Sequence, residues 1–196
     1  MIKLCAEKIT LFLISNNQID KSDFEMYVYA YETLIAFIVN IAVILTISCV
    51  LKRFTYTLWF LCWYCPIRQY AGGYHASNYK RCLLVFLSIY LLSILILDIL
   101  IYFNLYYLIF VATGISFIGI WILAPIEHRN NPLSQNEISQ YKNVVRRIVS
   151  IGLVSILLGI NFEFTYKYAL CLESVIICVF IMLVLAIIKE RKIFKL

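Results

Sequence analysis

The side chains able to do covalent chemistry concentrate in one polar stretch, Arg68-Gln69-Tyr70-Ala71-Gly72-Gly73-Tyr74-His75-Ala76-Ser77-Asn78-Tyr79-Lys80-Arg81-Cys82, which holds two of the six glycines and one of the two histidines. His75 can take a proton near neutral pH. Cys82 is a nucleophile once it is a thiolate. Seven residues along a straight α-helix return to the same face but rise about 10.5 Å, too far for an imidazole to hydrogen-bond a thiol. The spacing therefore predicts that His75 lies outside the helix that carries Cys82. Ser77 or Asn78 is a suitable N-cap for that helix, leaving His75 in the glycine loop, free to fold back to a cysteine about one turn in. Gly72 and Gly73 permit positive φ and close approach of a bound chain. Lys80 and Arg81 add positive potential that favours a thiolate. Read without this pairing, the stretch is an ordinary basic loop with a solvated histidine. A second spacing, Cys62-Trp63-Tyr64-Cys65, matches a redox motif but sits in an aromatic run with no βαβ context. Cys5, Cys49, Cys62, Cys65, Cys171 and Cys178 read as small residues of apolar or amphipathic segments.

The elements that position these groups belong to a membrane. Of 196 residues 63% are hydrophobic and 14% charged, against roughly 45–50% apolar in a soluble domain, which excludes a soluble globular protein. At about 20 residues per crossing the length leaves no space for a separate soluble domain, so residues 1–196 are expected to form one all-α polytopic domain. Residues 1–22 begin with an amphipathic pattern, Ile2, Cys5, Ile9, Phe12 and Leu13 on one face and Lys3, Glu7 and Thr10 on the other, expected to lie on the membrane surface. The run Ile9 to Ile14 is too short for a signal-peptide core. Six apolar stretches follow, 27–51, 54–66, 83–103, 105–124, 144–160 and 168–188. The second spans only if residues 67–71 extend it, and otherwise enters as a re-entrant segment; Asn104 is the turn between the third and fourth. With the N-terminus in the cytoplasm, Lys52, Arg53 and Lys167 fall outside and the other 14 of the 17 basic residues inside, as the positive-inside rule requires. Both termini and both polar loops, 68–82 and 125–143, are then cytoplasmic.

The two loops carry a resemblance. Arg68, Gly73, His75 and Cys82, with the second-loop segment Ala124-Pro125-Ile126-Glu127-His128-Arg129-Asn130-Asn131-Pro132-Leu133, resemble the accessory gene regulator B family of bacterial membrane cysteine endopeptidases, and size and apolar character fit along nearly the whole chain. Asn130-Asn131 replaces a more basic run. The resemblance implies that His75 deprotonates Cys82, that the thiolate attacks a carbonyl near the C-terminus of an AgrD-like precursor peptide, and that the acidic tail leaves to give an acyl-enzyme thioester. An internal precursor Cys or Ser then closes a thiolactone or lactone autoinducer for quorum sensing, provided water is held off. Backbone N–H groups of residues 72–74, Arg68 or Gln69 could stabilise the oxyanion. No cofactor and no metal are implied; the partners are the precursor, membrane lipids and a second copy in a homodimer, with no nucleic acid.

Other polar residues read differently. Asp98 is an intramembrane acid close enough to the outer end to reach the interface, and about 24 Å of helix separates it from Cys82. Glu127 is a candidate third partner, His128 reads as a solvated loop residue, and Asn40 and Glu173 read as interhelical or interfacial contacts. Two alternatives remain at this point: a small transporter or channel, disfavoured by the lack of broken helices or matching halves, and a catalytically silent peptide-binding subunit.

Overall fold

A computed structural model describes residues 2–73, 79–104, 106–126 and 133–193. Among the described residues there is no strand, and seven α-helices follow in order: α1 (Ile2–Ser15), α2 (Phe24–Val50), α3 (Phe54–Ala71), α4 (Tyr79–Tyr102), α5 (Tyr106–Leu123), α6 (Gln135–Gly159) and α7 (Glu163–Ile193), with a single 3-10 turn at Lys21–Asp23. Helices α2 to α7 coincide with the six expected apolar stretches. Among the described residues, four segments are long and apolar enough to cross a membrane: Lys21–Val50, Arg81–Ile99, Tyr106–Leu123 and Glu163–Lys189. The expectation of six is met in helices but not in spans of that kind. α3 carries Pro66, Arg68 and Gln69 within its 18 residues, and α6 opens on the polar run Gln135-Asn136-Glu137.

The helices form two compact units, Met1–Lys52 and Arg53–Leu196. In the first, α1 packs on α2. The expected faces of α1 need correcting: Thr10, assigned to the polar face, is fully buried with Ala6, whereas Ile9 and Phe12 are exposed. The Thr10 hydroxyl donates to the Ala6 carbonyl at 3.0 Å, which satisfies it within its own helix and makes burial of a small polar residue inexpensive.

In the second unit α7 is the axis, touching α3, α4, α5 and α6; Leu170, Cys171, Leu172, Val175, Ile176, Val179 and Leu183 are all buried along it. α4 meets α3 through an aromatic ladder. Phe60 stacks on Tyr64 at 5.3 Å, Tyr64 on Phe86 at 5.0 Å, and Tyr90 meets Phe60 edge-on at 5.5 Å while its hydroxyl bonds that of Thr57. The turn at Asn104 is present, with φ 55°, but α5 makes most of its contacts with α7 rather than α4, so these two helices are not the tight hairpin the short connection implies.

Two loop boundaries also move. α3 continues past Pro66 to Ala71 because Ile67 and Ala71 are fully buried, which places Arg68 and Gln69 on a helix instead of in a loop. α6 begins at Gln135, so only the first part of 125–143 is loop. The start is a capping box: Ser134 Oγ accepts from the Glu137 N–H, and the Glu137 carboxylate accepts from the Ser134 N–H at 2.8 Å. Those bonds from the Ser134 backbone and hydroxyl hold the Glu137 carboxyl below the usual carboxylate range.

Candidate functional site

Arg68, Gln69, Gly72, Gly73 and Cys82 lie within the described residues; His75, Ser77, Asn78, Glu127 and His128 lie outside them. Cys82 is the fourth residue of α4, one turn in as the N-cap argument requires, and is half-buried. The Arg68 guanidinium donates to the Gly72 carbonyl and is within electrostatic reach of the Tyr64 hydroxyl and the Cys82 sulfur. Gln69 is exposed.

Both glycines use the freedom inferred for them. Gly72 has φ 70° and Gly73 φ 121°, values that L side chains rarely adopt. A Cβ on Gly72 would collide with the Ile126 carbonyl oxygen; one on Gly73 would lie 3.1 Å from Arg68 Nη1 and 3.3 Å from the Met182 carbonyl. Close backbone approach thus joins the end of α3 to α7 and to the segment after α5.

That last junction links the two polar loops. Ile126 N–H donates to the Ala71 carbonyl at 3.0 Å, and Gly72 and Ile126 form a parallel β-bridge, following a cis Ala124–Pro125 bond. Tyr70 of α3 meets Tyr141 of α6 edge-on at 5.4 Å. Reading the sequence placed both loops on one side of the membrane; it did not foresee that their backbones pair. Gly72 beside Ala71 was a signal only for a close approach, with no indication of its partner.

At the far end of α3, Arg53 Nη2 holds both carboxylate oxygens of Asp98 at 3.0 Å. Asp98 is thereby an ion-pair partner at the end of the unit remote from Cys82, not part of the cysteine's surroundings. Glu173 is buried on α7, and Cys171 and Cys178 are buried beside it; Cys62 is exposed and Cys65 half-buried on α3.

These features define a helical membrane protein in which one cysteine stands at a helix start beside an arginine–glycine turn. The family model of accessory gene regulator B matches residues 6–189, nearly the whole chain, and the chain belongs to that family. The family is the membrane peptide-processing component of the agr quorum-sensing system. No curated protein and no solved structure matches the chain.

Proposed function

We propose that this protein is a membrane cysteine endopeptidase that removes the C-terminal tail of a short precursor peptide and passes the remaining acyl group to an internal Cys or Ser as a cyclic thiolactone or lactone. The observation that carries the reading is the placement of Cys82 one turn into α4, half-buried, within reach of the Arg68 charge. The thiolate attacks the scissile carbonyl, its proton taken by His75; the same imidazolium protonates the leaving amine. The product is a thioester, which keeps the acyl group activated for ring closure. A sulfur at the mouth of an apolar bundle meets the peptide where water is scarce, favouring cyclisation over hydrolysis. Gly72, Gly73, Arg68 and Gln69 supply the donors from which an oxyanion site is drawn. The chain forms a single membrane domain of six crossings, α2 to α7, with α1 on the cytoplasmic surface and both termini inside.

Reconstituting the full chain in vesicles with the precursor tests this. Cys82→Ala should abolish cleavage. His75→Ala should lower it by about 10²-fold or more, the typical share of a general base, because a thiol of pKa near 8.5 is only a few per cent thiolate at neutral pH. Cys82→Ser should be nearly inactive. Full activity of Cys82→Ala would overturn the reading.

A further inference from the structure

Helix α5 ends with a specific deficit. The carbonyl of Trp121 would ordinarily accept the N–H four residues on, but that residue is Pro125, which has none. Arg146 of α6 supplies the missing donors: Nη2 and Nε reach the Trp121 carbonyl at 3.1 and 3.4 Å, and the guanidinium carbon lies 4.8 Å over the Trp121 ring. A cation at a helix C-terminus is favoured by the aligned peptide dipoles, and the planar guanidinium both forks onto one carbonyl and stacks on an indole. Arg146 is half-buried in this role, whereas its neighbour Arg147 is exposed.

What Arg146 fixes is the segment that reaches the candidate site. Four residues after Ile122 comes Ile126, whose N–H holds the Ala71 carbonyl. Its bridge partner Gly72 presents a carbonyl to Arg68, whose charge reaches the Cys82 sulfur electrostatically. We propose that Arg146 is a positioning residue: by closing the end of α5 it sets the Ala124–Ile126 segment against the Ala71–Gly72 turn and so fixes the carbonyl that holds Arg68 at the end of α3. This rests on the peptidase reading for its consequence in catalysis, though not for the contact itself. It also separates two arginines that charge alone cannot distinguish: Arg147 serves the basic surface, Arg146 does not.

Arg146→Lys keeps the charge and loses the fork and the stack; Arg147→Lys is its control. Two readouts on the full chain in vesicles decide the matter. Hydrogen exchange over residues 124–126 should accelerate at least tenfold in Arg146→Lys, with exchange in α4 and α7 unchanged, and should match wild type in Arg147→Lys. With the precursor as substrate, Arg146→Lys should lower kcat about tenfold with KM within twofold, and the defect should persist in raised salt, which screens a long-range attraction between charges but not the geometry of a fork onto a neutral carbonyl. Wild-type exchange and wild-type kcat in Arg146→Lys would overturn the proposal, as would a defect confined to KM and abolished by salt. If the wild-type chain processes no peptide, the peptidase reading fails and the exchange measurement alone decides the role of Arg146.

Discussion

Gly72 is the residue on which the two polar loops meet, and its chemistry is that of a missing side chain. Gly72→Ala must both place an L residue at φ 70° and push a methyl group into the Ile126 carbonyl. Strain of this kind costs of order 1–3 kcal/mol and is relieved most readily by parting the bridge. Peptide processing should fall at least tenfold while helical circular dichroism is retained; a fully active Gly72→Ala would show that the bridge does not shape the site. At this scale much was legible: the paired glycines announced positive φ, and a helix start at Ser77 or Asn78 put Cys82 about one turn into a helix. Arg146 was not, because a basic residue near a polar loop reads equally as lipid contact, peptide contact or cap. The signal was Pro125, four residues after Trp121, which removes a helix donor that some other group must replace. Asp98 was half legible: its place toward the end of α4 away from Cys82 could be read, while its partner Arg53, 45 residues away, leaves no trace in local pattern.

At the scale of elements, hydrophobic runs located all six long helices but misplaced their ends. α3 runs on through Pro66 and Arg68 because tertiary burial of Ile67 and Ala71 outweighs the polar residues between them. The start of α6 was written in the sequence as Ser134-Gln135-Asn136-Glu137, a capping box, and was overlooked because apolar periodicity begins only later. Neither α3 nor α6 is among the segments apolar enough to cross a membrane unaided, and both lean on α7, which supplies an apolar neighbour in place of lipid. If both cross, as proposed, a direct prediction follows. Lys52, Ser134 and Asn161 are all exposed. With the native exposed cysteines replaced, an impermeant thiol reagent on intact cells should label Lys52→Cys and Asn161→Cys and spare Ser134→Cys until the cells are opened. If α3 does not cross, Lys52 and Ser134 share a side; if α6 does not cross, Ser134 and Asn161 do.

For the molecule as a whole, composition excluded a soluble protein, and the 14-to-3 division of basic residues arranged the loops so that Arg68, Cys82 and Ile126 fall at one end and Arg53 and Asp98 at the other. The structure brings each of these sets together within the second unit. What the sequence could not convey was which helix is central, since α2 and α7 both read as long apolar runs; α7 is the one buried along most of its length. The claim that all of this serves is that Cys82 becomes covalently acylated. The most direct measurement is the intact mass of the protein after brief exposure to a precursor whose internal Cys or Ser is replaced by Ala, so that ring closure is blocked and the acyl-enzyme accumulates. The account predicts a gain equal to the precursor without its tail, less one water, mapped to Cys82, released by hydroxylamine as thioesters are, and absent in Cys82→Ala. Tail release from the intact precursor with no such adduct, or with an equal adduct in Cys82→Ala, would contradict it.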